Sequence, residues 1–159
     1  MKTLRMMLVA VLLALAGAAG AATFRYASQI DPGTMDPHAL ASLYHTRVVM
    51  EIYEPLVGRD EDFKLEPRLA TEWTMVDAHT WRFKIRQGVK FHDGTPLTAD
   101  DVVFSVLRSI DPKSLQRPTY PNVTGAKKVD DFTIDIITSQ PTPVLPRALT
   151  NSRIMSKKW

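Results

Sequence analysis

Histidine and aspartate side chains are the groups in this sequence that could support acid–base or metal chemistry. The histidines are His38, His45, His79 and His92. No two of them stand at a metal-ligand spacing, and a lone histidine is usually structural. Asp60 and Asp62 resemble the start of a calcium loop, but the sixth position is not glycine and the twelfth is Thr71 rather than glutamate. We therefore predict no metal site from these residues.

Asp100 and Asp101 are adjacent carboxylates that could pass for a general acid and base. They follow Thr98 in the Ser/Thr-x-x-acid order of a helix N-terminus, where a carboxylate faces exposed N–H groups and the positive end of the helix dipole. We therefore interpret the two carboxylates as groups that compensate the helix dipole rather than as a catalytic acid and base. The sequence holds no G-x-S-x-G, glycine-rich phosphate loop, H-E-x-x-H or dinucleotide motif. We therefore expect a binding protein rather than an enzyme, with no cofactor.

Composition excludes further classes of function. The absence of cysteine rules out disulfides, thiolate metal ligands and a cysteine nucleophile. The chain has 20 Lys+Arg and 17 Asp+Glu; without Lys2 and Arg5 the balance is 18 minus 17, or +1. Basic residues do not cluster with interleaved aromatics. We therefore expect no nucleic-acid partner.

The first 22 residues have the pattern of a cleavable signal peptide. Lys2 and Arg5 form a positive start, and Met6–Ala16 is an apolar run of 11 residues, shorter than the ~20 residues of a spanning helix. Small residues follow, so cleavage is expected after Ala21 or Ala22. With no cysteine to carry a lipid anchor, we expect an exported protein located in the periplasm, with secretion as the alternative.

The secondary-structure elements that would hold a functional site in place are concentrated in residues 80–110. Thr80–Arg86 alternates apolar and basic side chains, which predicts a half-buried strand. Asp93-Gly94 predicts a turn, and Thr98 predicts the start of a helix. The residues expected on the buried face of that helix are Val103, Val106, Leu107 and Ile110.

The remaining elements are short. The predicted strands are Thr23–Gln29, Glu72–Val76, Lys127–Val129 and Phe132–Ile137, with antiparallel hairpins formed by 72–76 with 80–86 and by 127–129 with 132–137. A helix is predicted over Leu43–Glu54 and a shorter one over Val144–Thr150. We expect Leu65–Ala70 to be irregular or a single helical turn, and Gln29–His38 to be a loop at the end of the first strand.

Several segments resemble one known family. They are Tyr53–Val57 (YEPLV), Leu65–Trp73 (LEPRLATEW), Thr80–Arg86 (TWRFKIR) and Gly88–Ser105 (GVKFHDGTPLTADDVVFS), with Asp36–His38 upstream and Val129–Thr133 downstream. In order and spacing they are similar to the solute-binding proteins of ABC importers, in the family 5 class that binds peptides, dipeptides and sometimes nickel.

The resemblance implies an α/β, two-lobe periplasmic-binding-protein fold of type II. It divides the chain into a signal peptide (1–22), the start of lobe I (23–45), an inserted small α+β domain (46–150) and a return towards lobe I (151–159). The resemblance further implies that the second lobe and most of the ligand pocket lie outside these 159 residues. Residues 80–110 would then have a structural role within the inserted domain and contribute little to ligand contact.

Family resemblance also supplies a candidate ligand site. In peptide-binding relatives the loop after the first strand lies against the peptide and helps to hold its amino end. The matching positions are Gln29, Ile30, Asp31, Pro32, Gly33 and Thr34, and the Asp31 carboxylate is the candidate partner for an ammonium group. This placement agrees with a general rule for open α/β sheets, in which ligands bind beyond the carboxyl ends of the strands.

The expected function is therefore capture of oligopeptides or dipeptides in the periplasm by a monomer. Delivery would be to a membrane permease and its ATPase. The same fold leaves nickel, heme or glutathione binding as alternatives. A fragment of an exported hydrolase is a more distant alternative, because the sequence shows no catalytic nucleophile paired with a general base.

Overall fold

The computed structural model describes Thr23 and residues 31–159. The predicted signal peptide and most of the predicted first strand lie outside these residues. In the described part of the chain, no helix is both long and apolar enough to cross a membrane.

A four-stranded antiparallel sheet forms the centre of the described part. Its strands are β3 (Ala70–Asp77), β4 (Thr80–Ile85), β5 (Val123–Asp130) and β6 (Thr133–Thr138). They lie in the order β3-β4-β6-β5, so the sheet consists of two hairpins joined through β4 and β6. Both hairpins predicted from the alternating apolar residues are confirmed.

The core lies on one face of this sheet. Phe83 on β4 pairs with Ile134 on β6, and both are fully buried. Trp81 pairs in the same way with Ile136 and packs half-buried against the core. The strand period of two places these side chains together and directs the intervening polar residues to the opposite face.

One helix, α2 (Ala99–Ser109), follows the first hairpin in the chain and packs against β5 and β6 of the second. The predicted N-terminal cap is confirmed, because Asp101 accepts hydrogen bonds from the backbone N–H (3.0 Å) and the hydroxyl (2.9 Å) of Thr98. The predicted buried face is partly wrong: Leu107 is 42% exposed, whereas Val102 is buried.

The buried face of α2 is displaced because its polar side chains bond to the end of the chain. Ser105 accepts a hydrogen bond from the N–H of Met155 at 3.0 Å, and Asp101 accepts one from the N–H of Lys157 at 3.0 Å. These contacts give the buried side chains of Ser105 and Asp101 hydrogen-bond partners. A prediction based on apolar residues alone would place both side chains in solvent.

Shorter elements surround the sheet and helix. They are α1 (Leu43–Met50), β1 (Val57–Arg59), β2 (Leu65–Pro67) and α3 (Leu145–Ala148), with 3₁₀ turns at Arg117–Thr119 and Leu149–Asn151. Helix α1 ends before Glu54, as the chain becomes extended and the carbonyls of Pro55 and Leu56 accept hydrogen bonds from residues 69 and 70. The expectation of irregular or helical structure over 65–70 is wrong, because β2 pairs with β1.

Candidate functional site

The segment Asp31–Met35, called the candidate loop below, contains the described part of the predicted ligand site. It has neither helix nor strand. Gln29 and Ile30 lie outside the described residues. The Asp31 carboxylate accepts a hydrogen bond from the N–H of Gly33 at 2.7 Å. Gly33 has a φ of 72°, a left-handed conformation that favours glycine.

Local contacts therefore fix the shape of the loop. Thr34 continues it, because its hydroxyl accepts a hydrogen bond from the N–H of Asp36 at 3.1 Å. Asp31 and Gly33 are exposed, whereas Pro32 and Thr34 are half-buried. The loop presents a carboxylate and polar backbone at the surface, which are groups that can pair with an ammonium group or a peptide. The assignment of Asp31, Pro32, Gly33 and Thr34 to ligand contact stays a prediction.

An arginine on α2 holds the position directly after the loop. Both terminal nitrogens of Arg108 donate to the two carboxylate oxygens of Asp36, at 2.6 and 2.5 Å. The side chains are 33% and 20% exposed, so the pair is only partly screened by solvent. This bidentate geometry lowers the pKa of Asp36 and raises the pKa of Arg108, in each case chiefly through the hydrogen bonds between them.

A tyrosine contacts the loop itself. The hydroxyl of Tyr53 donates to the backbone carbonyl of Met35 at 3.2 Å. Burial, and then the nearby charge of Asp36, raise the pKa of Tyr53, so the hydroxyl keeps its proton and remains a donor at neutral pH.

The chain after the loop is anchored at two further points. The hydroxyl of Ser114 donates to the carbonyl of His38 at 3.4 Å, and the side-chain amide of Gln116 donates to the carbonyl of Leu40 at 2.6 Å. The segment 31–40 is thus bonded to side chains from three separate parts of the chain.

His38 and Arg153 form a buried polar contact beneath this segment. The Nε2–H of His38 donates to the carbonyl of Arg153 at 2.9 Å, since a carbonyl can only accept. Burial lowers the pKa of His38 to about 4. Arg153 is 3% exposed and makes no ion pair with a carboxylate of the described residues. Its Nη1 donates to the carbonyls of Thr150 and Ser152 at 3.1 and 3.0 Å.

Several clefts lie near these residues, and two of them concern the site. One has a volume of about 340 Å³ and is lined by apolar and aromatic groups such as Phe91, Met155 and Trp159 together with charged groups such as Glu54 and Lys90. The other, of about 520 Å³, lies between Arg108 and its neighbours on α2 and the chain around residue 38. Residues 31–34 line neither of these clefts.

The other groups considered for chemistry have structural surroundings. The Asp60 carboxylate accepts hydrogen bonds from the N–H groups of Asp62 and Lys64, at 2.9 and 2.8 Å, which closes a turn. His79 contacts the carbonyl of Thr138 at 3.2 Å. Within residues 31–159, no three His, Cys, Asp or Glu side chains lie close enough together to hold a metal ion.

Sequence reasoning did not identify Arg108 or Tyr53 as parts of the site. An arginine in the last turn of a helix matches the ordinary preference for a cation near the helix C-terminus. Its partner, Asp36, is 72 residues away in sequence, and no local pattern connects the two. The motif that contains Asp36 was noted only as part of a family resemblance.

Comparison with known proteins identifies the family. The model of the bacterial extracellular solute-binding proteins, family 5 (middle region), matches residues 64–158, which is more than half of the chain. The chain belongs to this family. The family predicted from the sequence motifs is thereby confirmed.

Individual members of family 5 show similar correspondence. The chain is 31% identical over 140 residues to the probable deoxycholate-binding periplasmic protein YgiS of Escherichia coli, covering 76% of this chain and 26% of that protein. It is 38% identical over 85 residues to the E. coli periplasmic murein peptide-binding protein MppA, covering 54% and 16%.

A solved family structure supports the fold class. Haemophilus influenzae OppA, in a complex with the peptide RPPGFSPFR, matches with a TM-score of 0.73 and 27% identity, covering 80% of this chain and 29% of that one. The predicted type II periplasmic-binding-protein fold is therefore confirmed. The family 5 chain described in this structure spans about a quarter of the length of the relatives it matches, and the division into lobe and inserted domain stays a prediction.

Proposed function

We propose that this family 5 protein is the substrate-binding component of an ABC importer and that it captures oligopeptides or dipeptides. The observation that carries the proposal is the match of residues 64–158 to the family model. Support for peptides comes from two relatives, one named for murein peptide binding and one solved with a bound nonapeptide.

The proposed mechanism is binding followed by a conformational change, with no chemical step. A ligand can close two lobes only if it makes contacts in the closed state that the open state lacks. In the described part of the chain, the candidate loop would provide one set of these contacts. The Asp31 carboxylate would pair with the ligand ammonium group, and the loop backbone would bond to the peptide.

The proposed location follows from the sequence and the relatives. The N-terminal segment would direct export, with cleavage after Ala21 or Ala22, and two of the relatives are named as periplasmic proteins. The captured peptide would pass to a membrane permease and its ATPase. N-terminal sequencing of protein from the periplasmic fraction tests export and identifies the cleavage point.

Isothermal titration of the full-length mature protein against di-, tri- and longer peptides tests the proposed ligand class. We expect saturable binding of peptides of at least one length, with a dissociation constant of about 1 μM or below. This corresponds to a favourable binding free energy of at least about 8 kcal/mol. Absence of binding across the library would refute the peptide assignment and leave the family membership intact.

A second ligand class is favoured by one comparison. The relative with 31% identity is named as a probable deoxycholate-binding protein. The cleft near Phe91 and Trp159 combines aromatic side chains with charged ones such as Lys90, a combination that suits a ligand with an apolar ring system and a carboxylate. The same titration should include deoxycholate. Nickel, heme and glutathione are the remaining alternatives on this fold, and each is a further arm of the experiment.

A further inference from the structure

The local contacts of the candidate loop fix its shape but not its location. The hydrogen bonds of Asp31, Thr34 and Asp36 to the N–H groups of residues 33, 36 and 38 each span two residues. Such turns set the local shape of the loop and do not by themselves place it in the fold. The place of the loop must therefore be set by longer-range contacts.

The longer-range contacts are unequal. The contacts from Tyr53, Ser114 and Gln116 are single hydrogen bonds between neutral groups. The hydrogen bond from the His38 ring to the carbonyl of Arg153 is of the same kind. Arg108 instead makes two charge-assisted bonds to Asp36, with both side chains partly buried. Among the ion pairs within residues 31–159, this is the one that ties the segment 31–40 to another element. Charged bidentate pairs fix both distance and orientation.

Because of the position of Asp36, this ion pair controls where the candidate loop lies. Asp36 directly follows Met35, whose carbonyl is also held by Tyr53. A change in the Arg108–Asp36 geometry therefore shifts the last residue of the loop and, through the turns, the Asp31 carboxylate. Helix α2 is fixed in turn, because its buried residues Val102 and Val106 belong to the core.

We propose that Arg108 is a positioning residue for ligand binding: it docks the candidate loop against α2 so that Asp31 and the loop backbone are held ready for the ligand. This inference deepens the proposed function and rests on it. A preorganised loop loses less conformational entropy when the ligand binds, so the affinity of the ligand depends on a residue that does not contact it.

The sheet contains a matched control. Arg82 donates from two nitrogens to the two oxygens of Asp135, at 2.8 and 3.0 Å. This pair has the same bidentate chemistry as Arg108 with Asp36, but it joins β4 to β6. Loss of either pair removes an arginine–aspartate contact, and only one of the two pairs adjoins the loop.

The experiment compares Arg108→Gln, Arg108→Lys and Arg82→Gln in the full-length mature protein. Hydrogen exchange of peptides covering residues 31–40 is measured without ligand. Affinity for the tightest-binding peptide of the library is measured by titration, and thermal unfolding is recorded for each variant. Arg108→Lys keeps the charge and loses the bidentate fork, so it provides a second variant if Arg108→Gln folds poorly.

We expect Arg108→Gln to increase exchange over residues 31–40 by about tenfold and to weaken peptide binding by about tenfold, the usual effect of a lost charged contact. Arg108→Lys should fall between it and the wild type. Arg82→Gln should change neither quantity, even if it lowers the melting temperature as much.

Two results would overturn the inference. Unchanged exchange over 31–40 in Arg108→Gln would show that Arg108 does not anchor the loop. Faster exchange with unchanged peptide affinity would show that the anchor has no role in binding. If the wild type binds no peptide, the proposed function fails and the ligand role of Arg108 fails with it, whereas the exchange measurement still decides separately whether Arg108 anchors the loop.

Discussion

The buried histidine beside the candidate loop predicts a specific loss of stability in mild acid. His38 is 3% exposed, and burial lowers its pKa from 6.5 to about 4. The charges of Arg108 and Arg153 act in the same direction, while Asp36 and the carbonyl of Arg153 oppose them. The folded protein therefore keeps this imidazole neutral at a pH where the unfolded chain protonates it.

The sign follows from proton uptake. Between the two pKa values the unfolded state binds more protons, so the free energy of unfolding falls as the pH falls below about 6.5 and levels off below about 4. The loss attributable to His38 is about 2 kcal/mol between about pH 7.5 and pH 5, and about 3 kcal/mol below pH 4. Asp36 does not contribute in this window, since its pKa is lowered from 3.8 and its stabilisation is lost only in stronger acid.

Urea unfolding of the wild type and of His38→Gln at about pH 7.5, 6 and 5 tests this reasoning. Glutamine can still donate to the carbonyl of Arg153 and does not titrate. We expect His38→Gln to be less stable than the wild type by about 1 kcal/mol at pH 7.5 and to lose about 2 kcal/mol less stability than the wild type between pH 7.5 and pH 5. His92→Gln, at an exposed position, should keep the pH dependence of the wild type. The reasoning is refuted if His38→Gln and the wild type lose the same stability between pH 7.5 and 5.

Two further substitutions test individual contacts by denaturant unfolding. Asp101→Ala removes the acceptor of three hydrogen bonds at a residue that is 6% exposed, and it should lower the free energy of unfolding by about 2–4 kcal/mol. Asp100→Ala, at a more exposed position, should have a much smaller effect, and equal effects would contradict the role assigned to Asp101. Arg153→Met should raise stability by about 1–2 kcal/mol, because a buried guanidinium without a carboxylate partner among the described residues gives way to an apolar side chain. A loss of more than about 1 kcal/mol would show that the two carbonyl contacts of Arg153 matter more than its desolvation.

The two hairpins and the start of α2 could be predicted because their determinants are local. The alternation of Trp81, Phe83 and Ile85 with basic residues defines a strand in six residues. The Thr98–Asp101 cap defines a helix start in four residues. Patterns of this length do not depend on distant parts of the chain.

Elements that were assigned wrongly depend on distant partners. Strand β2 has two exposed residues and one half-buried residue, so no apolar alternation marks it, and it forms because β1 supplies hydrogen-bond partners. Leu107 matched the helical period, yet the residues after 153 cover the opposite flank of α2 and bury Asp101 and Ser105 instead. Tertiary contacts decide which side of an amphipathic helix is covered.

The sequence by itself determined the family, through motifs whose order and spacing match family 5, and it determined the local frame of strand, turn and capped helix. It also pointed to residues 29–34, through the family resemblance and through their place after the first predicted strand. Only the tertiary structure decided how that segment is held. The physical reason is that Asp36 and Arg108 stand 72 residues apart, so their bidentate contact exists only when the fold brings the end of α2 to the base of the candidate loop.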